Sequence, residues 1–559
     1  MKICTECKLR AGWGAVSDEQ VNTEKRAGIG ESRPVPSTVA SDGPAPDRGL
    51  TPAERKIFLG LLLGMFVAAL SQMMVGPAIP LIIAELGGME HYSWVATAAM
   101  LTSAATVPVV GKLSDMYGRR PFYIAGLMVF MAGAVVGGLA DSFWLLVMAR
   151  AIQGMGMGTI MPLAQTIVGD IVPARYRGKY QGYMGAVFGV CSVIGPLVGG
   201  VVTDWLGWRY LFFLAVPIGL VAMVPILRFL HVPHHGSPAR LDLAGFILLP
   251  SALTMVLLAT SMGGTTWAWD SPQIIGLFAG GAVVLALFVM NETRAAEPVL
   301  PLRLFRSRTF VLGNLASLAV SMGMFGVMIY VPVFVQGVIG LTPGGTGLVL
   351  MPQSVLMITM SIVVGHLIAR TGRYRIFTLV GACVMLLGIG LLAWMPPSTG
   401  PWALAGIMMV FGMGLGSLMQ VFVLLVQNDA DRRDLGVVTS AAQFFRNVGS
   451  TLGITIFGAV MSTRMADAIA RHLPPGAAGA GPQASNAGAV LDPAQLEGVP
   501  PQIVEAIRLG VADSLHGVFL AVIPTVFIVL VATVFIPHKD LADRLQPLDG
   551  ESPGEDGAS

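Results

Sequence analysis

Apolar runs of about twenty residues recur from Ile57 to Ile536, each separated from the next by a short polar break. At a rise of about 1.5 Å per residue, twenty helical residues cover the roughly 30 Å hydrocarbon core of a bilayer. The runs fall near 57–84, 93–113, 121–140, 143–168, 181–203, 209–230, 242–262, 273–290, 310–336, 345–369, 376–395, 401–426, 438–462 and 513–536, which makes fourteen. Lipid offers no partner for a backbone N–H, so runs of this length and composition read as helices. Only 12% of the 559 residues are charged, about half the share of a water-soluble domain. The chain is therefore expected to be an all-α integral membrane protein, with the lipid bilayer as its main partner.

The polar breaks test that count. Breaks after even-numbered runs carry Lys112, Arg119, Arg120, Arg175, Arg177, Lys179, Arg228, Arg240, Arg294, Arg303, Arg306, Arg308, Arg370, Arg373, Arg375, Arg432 and Arg433. Breaks after odd-numbered runs, through the twelfth run, hold only Arg209. The positive-inside rule places the basic breaks and both termini in the cytoplasm. Residues 1–50 and 537–559 lack apolar periodicity and read as disordered cytoplasmic tails. The segment 463–512, rich in Ala, Gly and Pro, reads as one long external loop with a short helix near 502–509. No secretory signal opens the sequence; the first run begins near Ile57 and serves as an uncleaved span.

The chain also repeats itself. Gly111-Lys-Leu-Ser-Asp-Met-Tyr-Gly118-Arg119 follows the second run, and Gly365-His-Leu-Ile-Ala-Arg-Thr-Gly372-Arg373 follows the tenth, 254 residues on. Gly154-Met-Gly-Met-Gly158 in the fourth run is echoed by Gly412-Met-Gly-Leu-Gly416 in the twelfth. Both echoes lie eight runs apart. The domains that follow are a six-helix half at 51–230, two inserted helices with a linker at 231–309, and a second six-helix half at 310–536. Repeats of this kind place a substrate cavity at their interface, near the midplane.

Three motifs carry chemistry. In the first, Gly111, Asp115, Gly118, Arg119 and Arg120 set a carboxylate beside two guanidinium groups at the membrane edge. Such a cluster can form in one state of a transporter and break in another. The second is Arg150-Ala-Ile-Gln153-Gly154, a cation several residues inside a span, where it must be paired or face water. The third puts Gly189, Gly195, Pro196, Gly199 and Gly200 in the fifth run. Its proline frees a carbonyl and its glycines let helices approach closely.

With these motifs in these runs, the chain resembles the major facilitator superfamily over roughly residues 55–540, and within it the fourteen-span drug:proton antiporter branch. The resemblance implies the major facilitator fold, two six-helix halves plus two inserted helices. It also implies a conformational latch at the first motif, proton transfer linked to Arg150, and an exporter motif at Gly195-Pro196 and Gly199-Gly200. Glu297-Pro-Val-Leu-Pro and Gln443-Phe-Phe-Arg446 resemble the same branch. The bias of 7 Lys to 27 Arg fits a GC-rich bacterial genome, which places the protein in a bacterial plasma (inner) membrane.

Two departures matter. Ser71 stands where the branch usually has an aspartate in the first span, and Ala369 stands where the repeat would place a partner of Asp115. The proton carrier must then be sought elsewhere. Asp204, at the outer end of the fifth run, could exchange protons with the outside and answer to Arg150; Glu85 is the reserve. Gln72, Gln153, Gln443 and Arg446 are the polar candidates for the cavity wall, and the 32 methionines offer an adaptable apolar lining.

The remaining features carry less. Cys4-x-x-Cys7 and the cluster His231, His234, His235 lack the further ligands a metal site needs. No phosphate-cradling loop follows a strand, so neither a nucleotide nor any other cofactor is expected. No catalytic cluster shares a membrane depth, which excludes an enzyme, and a net charge of +2 gives no reason to expect nucleic acid. The expected partners are protons and an amphipathic small molecule, handled by a monomer. The expected function is multidrug efflux, with antibiotic resistance as its consequence. The alternative is export of one endogenous metabolite or antibiotic.

Overall fold

The computed structural model describes residues 51–86, 94–173, 176–230, 242–263, 267–295, 297–341, 343–431, 434–472 and 500–537. Cys4, Cys7, His231, His234 and His235 lie outside the described residues, as do both expected tails. Fourteen long helices follow one another: α1 (Pro52–Leu86), α2 (Trp94–Tyr117), α3 (Arg119–Gly138), α4 (Phe143–Ile171), α5 (Arg177–Leu206), α6 (Arg209–Phe229), α7 (Leu243–Met262), α8 (Pro272–Glu292), α9 (Arg308–Gly337), α10 (Pro343–Thr371), α11 (Tyr374–Ala393), α12 (Pro401–Asp429), α13 (Leu435–His472) and α14 (Pro501–Phe535). All but α2 are long and apolar enough to cross a bilayer by composition. Thr97, Thr102, Ser103 and Thr106 lower the hydropathy of α2. They do not have to meet lipid, because α2 packs between α4 and α13. Thr102 and Thr106 turn their hydroxyls onto backbone carbonyls, Thr102 onto Ala151 of α4 at 2.7 Å.

The helices form two separate apolar cores. One lies within α1–α6, with Tyr123, Phe130 and Phe212 fully buried; the other lies within α9–α14, around Phe334, Phe411 and Phe519. Their packing schemes match. In the first half α4 lies on α2 and α3, while α1 lies on α5 and α6; in the second, α12 lies on α10 and α11, while α9 lies on α13 and α14.

The glycine echoes are the contact points of that scheme. Gly154 and Gly158 press against the Ala99 and Ser103 backbone of α2, and Gly156 against Phe130 of α3. Gly412 and Gly416 press against Gln353 and Met357 of α10, and Gly414 against Met385 of α11. A Cβ at any of them would meet backbone that cannot yield. Gly118 (φ 95°) and Gly372 (φ 70°), one repeat apart, turn the chain from α2 into α3 and from α10 into α11 in a region closed to other residues.

The basic breaks gather at one end of the bundle, hereafter the basic end. At the opposite, far end sit Trp94, Trp144, Trp205, Trp208, Trp267, Trp269, Trp394 and Trp402, eight of the nine tryptophans. Trp205, Trp394 and Trp402 are more than four-fifths exposed, as an interfacial aromatic belt would be.

The two inserted helices stand outside the halves: α7 packs on α2 and α13, and α8 packs on α7. Segment 463–512 differs from expectation. α13 runs on to His472 and α14 begins at Pro501, so both ends of the expected loop are helical. The expected short helix is the first turns of α14. Gly510 packs against Ile469, and His472 Nε2 meets Asp513 at 3.2 Å, so packing and hydrogen bonding carry both helices past the apolar run.

Candidate functional site

A cavity of ≈ 240 Å³ lies between the halves. Eight of its lining residues are methionines, Met73, Met100, Met157 and Met161 from one half and Met324, Met328, Met357 and Met419 from the other. Phe188 and Phe325 add aromatic faces. Thioethers are polarizable and unbranched, so such a wall repacks around differently shaped apolar bodies. Of the four polar candidates, Gln72, Gln443 and Arg446 line the cavity. Gln153 does not: it is wholly buried behind the wall.

Beyond the cavity on the basic side, a layer of glutamines, the glutamine floor, joins the halves. Gln165 Nε2 donates to Gln420 Oε1 at 3.4 Å, and Gln181 Nε2 to Gln427 Oε1 at 3.1 Å. Gln427 Nε2 donates in turn to the Gln165 carbonyl at 3.1 Å and Thr439 Oγ1 at 2.9 Å. Gln165 Oε1, Gln181 Oε1 and Gln420 Nε2 are buried without partners, so the layer is incompletely satisfied. No charge, no run of apolar residues and no named motif marked these glutamines in the sequence.

Below the floor lie two seams. At the α2–α13 seam, Asp115 accepts the backbone N–H groups of Gly436 (3.1 Å) and Val437 (2.8 Å), at the N-terminus of α13. A carboxylate is favoured there by the exposed N–H groups and the helix dipole. Arg119 pairs with Asp115 and reaches Asp170 of α4 at 3.0 Å. Gly111 lets Ser440 sit against α2. Arg120 is a correction: it donates to the Leu227 carbonyl at 2.6 Å, closing the C-terminus of α6 within its own half. At the α5–α10 seam no carboxylate bridges the two helices among the described residues. Gly178 and Gly365 instead bring the two backbones together, with Gly182 and Gly185 against Ser361 and Gly189 against Ile358. Arg177 crosses to Asn428 at 2.8 Å.

Toward the far end the α5–α10 seam parts. Gly200 and Gly347 have nothing within 4 Å of a Cβ position, and Leu197, Val201, Leu348 and Val355 are more than half exposed. The cavity is closed at the basic end and open toward the far end. The fifth-run glycines therefore divide. Gly195 and Gly199 seat α5 on Met73 and Met74 of α1, and Gly189 faces the other half. Gly200 is no packing residue, and Pro196 is exposed.

Arg150 is buried and donates to the Val95 carbonyl at 3.2 Å and Gln153 Oε1 at 2.9 Å; Gln153 continues to Ser71 Oγ at 3.5 Å. Among the described residues no carboxylate pairs with Arg150. α1 packs against both α4 and α5, and more extensively than those two helices pack on each other. The Asp204 side chain lies outside the described residues. Glu85 is engaged at the far end by Trp208 Nε1 at 2.7 Å and Arg209 Nη1 at 2.5 Å.

The profile of the Major Facilitator Superfamily matches residues 61–454. Multidrug transporter protein MdtP of Bacillus subtilis (strain 168) is 36% identical over 509 residues, 87% of this chain and 94% of that one. Multidrug resistance protein 3 of the same organism is 33% identical over 490 residues, 86% of this chain and 94% of that one. Among solved structures, a proton:xylose symporter of the major facilitator superfamily superposes with a TM-score of 0.54 at 14% identity, covering 86% of this chain and 96% of that one.

Proposed function

This chain belongs to the major facilitator superfamily, and on that premise we propose that it is a secondary exporter of amphipathic organic compounds, exchanged for protons moving inward by alternating access. One observation carries the reading: a methionine-lined cavity between two repeated halves, sealed at one end and open at the other. The basic end is the cytoplasmic one by the charge rule, so the state described is outward-facing and both termini are cytoplasmic. The membrane is the plasma membrane of a bacterium. A single chain supplies the whole cavity wall, which supports a monomer. The Asp115–Arg119 cluster on the α13 terminus is the latch of the outward-facing state. Proton coupling rests on Arg150 and Asp204, with Glu85 in reserve.

The names of the two Bacillus subtilis relatives support drugs as the cargo. Expression in a host stripped of its own efflux pumps tests the reading. Accumulation of amphipathic dyes should fall, and a protonophore should restore it. A rise in accumulation of every transported dye overturns export.

A further inference from the structure

Arg446 is the only charged residue on the cavity wall among the described residues. It is 9% exposed. Arginine keeps its proton in proteins, so it cannot escape the cost of burial by becoming neutral. Its partners are weak ones for a buried cation: Nη2 donates to Gln443 Oε1, and the guanidinium lies 5.8 Å from the centre of the Phe188 ring. Nη1 is buried with no acceptor among the described residues. The carboxylates of the basic end lie beyond the glutamine layer and are engaged there: Asp115 and Asp170 by Arg119, Asp434 by Arg303, and Glu292 by the backbone N–H groups of Val299 and Leu300. The wall therefore presents one under-neutralised cation inside a surface of thioethers and aromatic rings.

We propose that the exported compounds are amphipathic organic anions, with a single carboxylate or sulfonate bound by Arg446 and an apolar body against the methionines. The proposal names the substrate class of the export reading and rests on it. A cationic drug would meet a like charge with no acid to offset it. An anion supplies the acceptor that Nη1 lacks, in a site where charge-assisted hydrogen bonds are strong. An anion leaving the cell also moves with an inside-negative membrane potential, which reduces what a titrating carboxylate in the cavity would have to supply.

The test uses the full chain in lipid nanodiscs and three fluorescent probes of one skeleton: dansyl-amino-undecanoic acid, its carboxamide and its trimethylammonium analogue. The acid should bind about tenfold or more tighter than the amide. Arg446→Gln should remove that preference, and Arg446→Lys should keep part of it. Equal binding of acid and amide by the unmodified protein, tightest binding of the ammonium probe, or binding of none of the three overturns the proposal without recourse to any variant. Uptake of the same probes into inverted vesicles separates the two readings. Transport of the amide and ammonium probes without the acid sinks the anion proposal and leaves export standing. Arg446-dependent binding of the acid with no probe transported sinks export and leaves the anion site standing.

Discussion

Replacing Asp115 with asparagine should open the basic end. The Asp115 carboxylate sits in one half, while the Gly436 and Val437 N–H groups it accepts sit in the other. Their hydrogen bonds exist only while the halves meet there. Asparagine keeps one acceptor but loses the second acceptor and the charge, so one charge-assisted bond and the pairing with Arg119 disappear. A hydrogen bond to a charged group is worth about 1.5–3 kcal/mol, and taking roughly 2 kcal/mol shifts the equilibrium about 30-fold. A population that lies about 99:1 toward the described state would move to roughly 3:1. Spin labels at Tyr117→Cys on α2 and Thr371→Cys on α10, both exposed, read the separation of the halves by pulsed electron resonance once Cys4, Cys7, Cys191 and Cys383 are serines. The asparagine variant should gain a longer-distance population. Asp170→Asn, which touches Arg119 from within the same half, should change the distribution far less. An unchanged distribution for Asp115→Asn, or equal effects of the two substitutions, would refute the reasoning.

Gly195→Leu should abolish dye efflux while membrane insertion, read on blots of membrane fractions, stays normal, because its side chain would enter the α1–α5 contact at Met73. Cysteine at Trp402 should react with a membrane-impermeant maleimide in intact cells and cysteine at Tyr117 should not; the reverse pattern inverts the topology. Asp204→Asn should uncouple substrate uptake by inverted vesicles from an imposed pH gradient while binding persists, and full gradient dependence in the variant removes Asp204 from the proton path. Ser71→Asp would set a carboxylate against Gln153, and through it Arg150; efflux of cationic dyes should rise several-fold, measured as initial rates, and no change argues that the acid's position is immaterial here.

Much of this architecture was legible because lipid imposes simple rules. Run length and the placement of Lys and Arg fixed the fourteen helices, α2 included, although hydropathy by itself passes over α2. The echo of Gly154 and Gly158 in Gly412 and Gly416 was legible because close helix packing demands a missing side chain, and it located matched contacts in both halves. Arg120 was misread because adjacency in sequence does not decide direction: on α3 it points along the helix toward α6 while Arg119 turns inward. Asp204 and Arg150 were joined by depth alone, and depth carries no information on which helices are neighbours; α1 packs on both α4 and α5. The glutamine floor was invisible because a lone glutamine in an apolar run carries no period; only pairing across halves gives it meaning.

The placement of α7 and α8 makes the two flanks of the molecule unequal toward the bilayer. The pair covers the α2–α13 seam, where Thr455 of α13 meets the Thr260 carbonyl at 3.1 Å and Lys112 meets Glu297 at 2.8 Å. Among the described residues nothing comparable covers the related α5–α10 seam, whose far half leaves Leu197, Val201 and Leu348 bare. A greasy molecule entering the cavity from the membrane would be expected to pass at this uncovered flank, and residues along it, more than those of the cavity wall, would set which membrane-dissolved compounds ever reach it.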